Sequence, residues 1–421
     1  MTIKGLWNLL EQKCNHVFET VPMSSFRGLR IAIDAGTWMF PLRMRARGNI
    51  AKRIDIVIHE VNDDDVDKEW YNIVVYEMQR FLEVGITPII IFDGPSPPAK
   101  TTTKQKRTDD DDKRRAEIKR IRDKFLNSDR LRIDEADVLR LRALESQVGG
   151  VPQASRDRIK SFLKNLGIPC IPGGDGMEAE RLASALVRHG IAAAVFSADG
   201  DCMPHGAGMI IRGFGEDILL EFSNDDGTYR LEKVKTFDIV RMSNVLSALQ
   251  LTQEMFTEIC ILAGCDYNKN IKGLSIIDAH RNIREYNCVE RIPFTQQQLE
   301  GASVLNLYVC RSLFERISFE RMFDKKTFAA GLSIAEEALT HQDAFDVYVN
   351  LTYLAESLTR YWLIGQFPKL SKLYTELPKP RSYNNLTLVV DNYGHKSLIG
   401  DAPLEGIRCK HKQVESFSFE F

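Results

Sequence analysis

The chain has 421 residues, 44% of them hydrophobic, and a formal net charge of -2 at pH 7, so it can bury a substantial core and shows no overall basic character. Its eight cysteines are dispersed without a C-x-x-C pair, which argues against a zinc site and a disulfide framework. No apolar run approaches membrane-spanning length and the start MTIKGLWNLL lacks a signal-peptide layout, so we expect an intracellular protein with reduced thiols.

Two near-continuous apolar runs in the first hundred residues predict parallel strands covered on both faces. A short amphipathic helix, Ile3 to Gln12, precedes the first run, LRIAID, which ends at Asp34. The second run, PIIIFD, ends at Asp93. Because ligands collect outside the carboxyl ends of parallel strands, both aspartates are candidate site residues.

The segment after Asp34, AGTWMFPLRMRARG, interleaves aromatic residues with arginines. Phe40 could stack on a base, and Arg43 and Arg47 could hold phosphates. The alternative is that the aromatic rings lie in the core and the arginines in solvent. Next, NDDDVDKEW (62–70) is predicted as a solvated loop leading into a helix over 68–84.

A basic segment follows the second strand. Residues 100–132 contain thirteen Lys or Arg and seven Asp or Glu, with no early apolar stripe. Because the segment lies between two strands that carry candidate ligands, it must leave the sheet near the site and return. We interpret it as a helical arch above the carboxylates, against the alternative of a solvated insertion.

The stretch from Gly167 to Asp201 brings four carboxylates to one edge of a βαβ unit. An apolar run is followed by a Gly-rich turn, a helix opening on Glu178 and Glu180, and a strand that leads to Asp199 and Asp201. All-oxygen ligands favour hard divalent cations such as Mg²⁺ or Mn²⁺, and such crowding is costly without a cation. The alternative is that glutamates merely favour a helix start and aspartates a turn.

Beyond Asp201 the sequence predicts a β-hairpin from GMIIRGF and DILLEF, then a helix over 251–264. Asp266 could add a carboxylate, and the loop around Gly273 before a helix start could hold a phosphate. Helical patterns dominate after residue 295, notably over 332–363, and the chain past Pro378 is predicted to be loop- and strand-like.

These motifs together resemble the structure-specific 5′ nucleases, the superfamily of flap endonucleases, 5′ exonucleases and XPG-type enzymes. The matching pieces, in order, are GLWNLLE, IAIDAGTW, GITPIIIFDGPSPPAK, KRRAE, the GIPC to SADGDC block, and ICILAGCDYNKNIKG. They cover about the first 320 residues. The resemblance implies an α/β fold with a mostly parallel twisted sheet flanked by helices, the PIN-like 5′ nuclease fold, with a helical arch and a helix–turn–helix.

The resemblance also implies roles for particular residues. A first metal ion would be bound by Asp34, Asp93, Glu178 and Glu180, and a second by Asp199, Asp201 and Asp266. Lys100 and Arg107 fall at the catalytic Lys and Arg positions of the arch, Phe40 at a stacking ring and Arg47 at a basic substrate contact. Further nucleic-acid contacts are expected from Arg43, Lys104, Arg114, Arg115, Lys269, Lys272 and Gly273.

Three positions depart from the family pattern. Thr2 stands where a glycine is usual, and residues 273–278 (GLSIID) lack the second glycine and the basic pair of the duplex-binding turn. The tail, residues 413–421, is only faintly similar to a sliding-clamp-binding peptide. We therefore expect weaker binding to duplex DNA and to the potassium ion normally held at that turn. The alternative is that nearby basic residues compensate, namely Lys269, Lys272, Arg281 and Arg284.

The leading hypothesis is a two-metal Mg²⁺-dependent nuclease, with Mn²⁺ as a substitute, that cuts DNA 5′ flaps or 5′ ends in replication, repair or recombination. Flap cleavage and 5′→3′ exonuclease activity are not separated by the sequence. The alternatives are an RNA-cleaving relative and a non-catalytic nucleic-acid-binding scaffold, which would have lost its ligands. We expect a monomer, nuclear in a eukaryote, divided into 1–100 and 151–330 (nuclease core), 101–150 (arch) and 331–421 (extension).

Overall fold

A seven-stranded sheet forms the centre of the molecule. The computed structural model describes residues 3–95, 97–127, 134–165, 168–173, 177–223, 228–298, 305–315, 386–390, 396–400 and 407–408. Seven of the described strands form this sheet, and five belong to two smaller sheets. The described strands are β1 (Phe18–Pro22), β2 (Arg30–Asp34), β3 (Thr87–Phe92), β4 (Cys170–Pro172), β5 (Ala194–Phe196), β6 (Met209–Phe214), β7 (Ile218–Ser223), β8 (Tyr229–Val234), β9 (Thr236–Arg241), β10 (Leu386–Val390), β11 (Lys396–Gly400) and β12 (Ile407–Arg408).

The order in the main sheet is β1-β9-β6-β5-β2-β3-β4. The five strands from β6 to β4 are parallel, while β9 pairs antiparallel with both β6 and β1. The predicted α/β fold with a mostly parallel sheet is therefore confirmed. In β2 and β3 every residue is buried, as expected for strands covered on both faces.

Helices cover both faces of this sheet. They are α1 (Leu6–Cys14), α2 (Ala35–Arg53), α3 (Asp63–Leu82), α4 (Thr101–Leu126), α5 (Glu135–Glu145), α6 (Gln153–Asn165), α7 (Ala179–Arg188), α8 (Met242–Leu249), α9 (Gln253–Ala263), α10 (Ile276–Tyr286) and α11 (Leu307–Phe314). One hydrophobic core joins α1 and α7–α10 to the sheet, and a second joins α2, α3 and α6 to the opposite face. Within the described ranges, no helix is both long and apolar enough to cross a bilayer.

The basic segment is helical where it is described, as we expect from its place between two strands that carry candidate ligands. Its two helices, α4 and α5, pack on the end of α2 through a small separate core. Ile121 and Phe125 of α4 and Leu141 and Leu144 of α5 are buried there against Ala51. Since this core lies at the far end of α4, the first turns of the helix are left beside the sheet edge.

Two local predictions are wrong. Helix α3 begins at Asp63, within the stretch predicted as a loop, because Asn62 caps it and three aspartates occupy its first turn, where negative charge is favourable. The predicted hairpin of β6 with β7 is also absent: β6 pairs with β5 and β9, whereas β7 pairs with β8. The predicted helical region 332–363 lies outside the described residues.

Candidate active site

Five acidic side chains line one cleft at the carboxyl edge of the parallel strands. Asp34 ends β2, Asp93 follows β3 and Asp199 follows β5. Glu180 lies in the first turn of α7, and Asp266 follows α9. These five lie in the lining of a cavity of about 550 Å³, as the sequence predicts for strand-end carboxylates.

Asp34 is fixed by the start of α2. It is the N-cap of this helix: one carboxylate oxygen accepts a hydrogen bond from the Gly36 nitrogen at 2.9 Å, and the other accepts one from the Thr37 hydroxyl at 2.8 Å. The carboxyl is almost fully buried. Burial, with the charge of Asp93 nearby, raises the pKa of Asp34 to about 7 despite these hydrogen bonds.

Close backbone contacts place Asp93 and the start of α7 beside Asp34. Asp93 accepts a hydrogen bond from the Ala179 nitrogen at 2.9 Å, and a Cβ on Gly36 would lie 3.3 Å from carboxylate oxygens of both Asp34 and Asp93. The end of β4 also needs a glycine, because a Cβ on Gly173 would lie 2.5 Å from the Gly94 nitrogen. The chain therefore has no room for larger residues where the carboxylates converge.

A lysine from the arch is inserted among the carboxylates. The Lys100 ammonium lies 2.5 Å from a Glu178 oxygen and 2.9 Å from an Asp266 oxygen. Burial opposes the charged ammonium, but Glu180, Glu178 and Asp266 raise its pKa. Conversely, burial would raise the pKa of Asp266, yet Lys100 holds it below the ordinary value. The Tyr267 hydroxyl donates to the other Glu178 oxygen.

The remaining acidic groups are crowded by like charges. Burial and the neighbouring Asp34 and Asp93 raise the pKa of Glu180 well above its usual value. Burial and Asp199 do the same for the pKa of Asp201, which accepts a hydrogen bond from the Ile3 nitrogen at 3.0 Å. Carboxylates with raised pKa values gain a proton more easily than in water, and a bound cation would relieve the same repulsion.

The donor set fits hard divalent ions. The described lining of the cleft offers carboxylate oxygens and no histidine or cysteine, which favours Mg²⁺ or Mn²⁺ over zinc. Among the described residues, no three Asp, Glu, His or Cys side chains are close enough to form a ready-made metal site. The carboxylates instead bind separate protein donors, and Lys100 lies between two of them.

Acidification is expected to stabilise the metal-free protein through Asp34. Its folded-state pKa of about 7 lies above the ordinary value of 3.8, so the folded protein binds a proton that the unfolded chain releases between these two pH values. The contribution is present below pH 4 and is lost as the pH rises through 7, on the order of a few kcal/mol. Urea unfolding in EDTA at pH 5 and pH 8 measures it. An Asp34→Asn variant with the same pH dependence as wild type would refute this account.

The rim of the cleft carries the aromatic and basic residues predicted for nucleic acid. Phe40 is 46% exposed and lines both the cleft and a second cavity of about 590 Å³ beneath α4. Arg107 also lines both cavities, and its guanidinium lies 3.5 Å from an Asp266 oxygen. Arg114 and Arg115 line the second cavity, and Lys104 is exposed on the same helix. Their nucleic-acid roles remain predictions.

Two of the predicted phosphate contacts are wrong. Arg43 is fully buried and donates to Asp67, Asp63 and the Gly150 carbonyl oxygen. Arg47 is also buried, and its guanidinium donates to Asp63 and Glu145. Because their donors are used within the protein, these arginines hold α2 against its neighbours and are not available to a nucleic acid.

The turn between α9 and α10 exposes its predicted basic residues. Lys269, Lys272 and Gly273 are all exposed. Gly273 has a φ of +82°, a backbone conformation that residues with a side chain rarely adopt. Helix α10 begins with a capping box in which Ser275 and Asp278 bind each other's backbone nitrogens. An aspartate at this helix start disfavours a phosphate there, in agreement with the weakened duplex contact expected from the sequence.

Sequence reasoning missed three residues that the structure brings to the site. Thr37 binds Asp34, Tyr267 binds Glu178, and Arg156 lines the cleft. Tyr267 directly follows the predicted ligand Asp266, which is a weak signal, and Thr37 follows Asp34 at helix-cap spacing. Arg156 belongs to a mixed-charge stretch with nothing to distinguish it from its neighbours.

Comparison with known proteins finds two XPG family regions in this chain. A family model for the XPG N-terminal domain matches residues 1–116, and one for the XPG I-region matches residues 167–266. Flap endonuclease 1 of Cryptosporidium muris is 27% identical over 299 residues, 69% of this chain and 57% of that protein. Flap endonuclease 1 of Entamoeba histolytica is 27% identical over 292 residues, 69% of each chain. The chain thus spans little more than half the length of the Cryptosporidium relative.

Solved structures give weaker global similarity. The catalytic core of Rad2 in complex with DNA substrate has a TM-score of 0.49 and 16% identity, covering 89% of this chain and 99% of that one. Flap endonuclease-1 from Methanococcus jannaschii has a TM-score of 0.43 and 18% identity, covering 77% and 97%. With both XPG regions matched and five of their acidic residues in the lining of one cleft, the chain belongs to the XPG-type 5′ nuclease superfamily, and the resemblance seen in its sequence is confirmed.

Proposed function

We propose that this protein is a divalent-metal-dependent nuclease that hydrolyses phosphodiester bonds at DNA 5′ flaps or 5′ ends, in replication, repair or recombination. The observation that carries the proposal is the cleft itself. Its floor has five carboxylates, two cations of the arch lie above them, and an exposed aromatic ring stands at its rim.

Nucleases of this family depend on divalent metal ions. We propose two Mg²⁺ ions, replaceable by Mn²⁺, with Asp34, Asp93, Glu178 and Glu180 holding one and Asp199, Asp201 and Asp266 the other. Bound there, the ions would supply a nucleophilic water at neutral pH and relieve charge on the leaving oxygen. The raised pKa values of Asp34, Glu180 and Asp201 support this ligand set.

The protein's own groups would bind and orient the substrate. Lys100 and Arg107 would donate to the scissile phosphate from the arch and stabilise its developing negative charge. Phe40 would stack on a base at the rim and hold the adjacent phosphate over the carboxylates. In the present structure Lys100 binds Glu178 and Asp266, so these contacts must loosen before the ammonium can reach a phosphate.

The direct test is cleavage of an end-labelled 5′-flap duplex by purified protein. With Mg²⁺ the product is expected to end near the junction, and EDTA should prevent cutting. Asp199→Ala should abolish turnover while leaving flap binding largely intact, which also controls for contaminating nucleases. Absence of cleavage with both Mg²⁺ and Mn²⁺ would refute the proposal.

A second candidate is cleavage of RNA by the same cleft. The specific observation that favours it is Asp278 in the capping box of α10, where the sequence pattern of the family has a basic pair for duplex contact. Cleavage of DNA and RNA versions of the flap in the same assay distinguishes the two candidates. Faster cleavage of the RNA flap would indicate that RNA is the substrate. A sliding-clamp partner would act through residues 413–421, which lie outside the described residues.

A further inference from the structure

Arg156 differs from the other cations that line the cleft, because no described acidic side chain pairs with it. The described lining of this cavity contains three basic side chains, Lys100, Arg107 and Arg156. Lys100 and Arg107 both lie within ion-pair distance of Asp266. Arg156 is exposed, and within the described ranges its guanidinium makes no hydrogen bond or ion pair. It is therefore a cation directed at the cleft with its donors available.

The chain around Arg156 is held rigidly by buried polar contacts. On either side of it along α6, Ser155 and Arg158 donate to the same carboxylate oxygen of Asp67, at 2.7 and 2.5 Å. Arg43 donates to another oxygen of Asp67 and to the Gly150 carbonyl oxygen in the loop before α6. Because these contacts fix α6 and its preceding loop, Arg156 is left on the helix face that borders the cleft.

A second element holds the same loop from the arch. Asp111, in the four-aspartate run of α4, accepts a hydrogen bond from the Gly149 nitrogen at 3.0 Å and pairs with Arg115. The loop is thus tied to both α2 and α4 just before α6 begins. Pre-positioning of this kind lowers the entropy lost when a side chain binds its ligand.

Stability of the helix does not explain an arginine at this place. Arg156 lies in the first turn of α6, where the helix dipole disfavours a positive charge. A phosphate between Arg156 and that helix start would be attracted by both. The two cavities also share Phe40, Arg107 and Val151, so a strand leaving the carboxylates toward the space beneath α4 passes along this wall.

We infer that Arg156 binds a backbone phosphate of a single strand in the cleft, on the wall that α6 contributes. It is a substrate-binding residue that the motifs of the family do not include. The inference rests on the proposed nuclease function and adds to it a second basic wall, which selects substrates with a single-stranded 5′ segment over plain duplex.

Binding of a fluorescent 5′-flap duplex in EDTA at several KCl concentrations tests this inference. Arg156→Gln is expected to weaken flap binding roughly tenfold, as for the loss of one charge-assisted hydrogen bond. The slope of log K against log salt should fall by about 0.7, the value for one phosphate contact to a single strand. The same duplex without a flap should bind the variant and wild type equally, and Arg156→Lys should retain the wild-type slope.

Lys52→Gln is the matched control, because it removes one exposed positive charge from α2 outside both cavities. It should leave flap affinity and slope unchanged, and thermal melting of both variants should match wild type. If Arg156→Gln binds the flap like wild type, or loses no more than Lys52→Gln, the assignment of Arg156 is wrong although the nuclease proposal stands. If wild type neither binds nor cuts the flap, the proposed function and this inference both fall.

Discussion

Replacing Glu180 with glutamine is expected to lower flap cleavage at least a thousandfold and, in the absence of metal, to make the protein more stable. The first effect follows because a proposed metal ligand is lost, and ligand-dependent electrostatic stabilisation is worth several kcal/mol. The second follows because Glu180 is buried and crowded by Asp34 and Asp93, so its charge is unfavourable without a bound cation. Removing that charge should raise the free energy of unfolding by roughly 1 kcal/mol or more, a few degrees in melting temperature.

Cleavage rates and thermal melting in EDTA, with and without Mn²⁺, measure both effects. Glu11→Gln on the exposed surface of α1 is the matched control and should change neither. Added Mn²⁺ should raise the melting temperature of wild type more than that of Glu180→Gln. A variant that is inactive and also less stable in EDTA would show that Glu180 supports the fold instead of binding metal.

Replacing Lys100 with methionine is expected to lower turnover about a hundredfold to a thousandfold, the range for removing one donor that stabilises transition-state charge. It should also destabilise the metal-free protein by about 3–5 kcal/mol, because two buried carboxylates lose their partner. Flap binding should change little, because Lys100 is bound to Glu178 and Asp266 and would reach the scissile phosphate only after these contacts loosen. Single-turnover kinetics and urea unfolding in EDTA are the measurements.

Mn²⁺ distinguishes the two roles of this lysine. A divalent ion can replace the ammonium beside Glu178 and Asp266, so Mn²⁺ should restore the stability of Lys100→Met without restoring its turnover. Lys119→Met, an exposed position farther along α4, should behave like wild type. Full recovery of turnover with Mn²⁺ would contradict a catalytic role for Lys100 beyond balancing charge.

The cleft could be predicted from the sequence because several of its carboxylates lie at the ends of predicted strands. An apolar run that stops on Asp34 or Asp93 fixes both the strand and the edge to which the side chain belongs, since parallel strands place their carboxyl ends together. The start of α7 brings Glu178 and Glu180 to that edge for the same topological reason. Register and packing detail were not needed for this inference.

The burial and ion pairing of the arginines in α2 could not be predicted in this way. Arg43 and Arg47 follow Phe40 in a pattern typical of nucleic-acid contacts, yet their partners Asp67 and Glu145 lie in other helices. The pattern of residues along the sequence does not show which arginines pair with a carboxylate that is distant in the chain. Arg156 was missed for the same reason, because its place at the cleft depends on the contacts of Ser155 and Arg158 with Asp67.

The predicted pairing of β6 with β7 was wrong for a related reason. The sequence places β6 and β7 next to each other, and neighbouring strands usually pair. Here β6 completes the parallel sheet beside β5, where its apolar residues Ile210 and Ile211 are fully buried. The helix start at Asp63 was missed because three consecutive aspartates are typical of an exposed loop as well as of the first turn of a helix.

The most direct test of a divalent-metal cleft is a crystal structure of this protein soaked in Mn²⁺, with anomalous scattering used to locate the ions. The account predicts anomalous peaks among Asp34, Asp93, Glu180 and Asp199, at metal–oxygen distances of about 2.0–2.6 Å, and displacement of Lys100 from Glu178 or Asp266. A cleft without peaks, with Lys100 still bound to both carboxylates at saturating Mn²⁺, would contradict it.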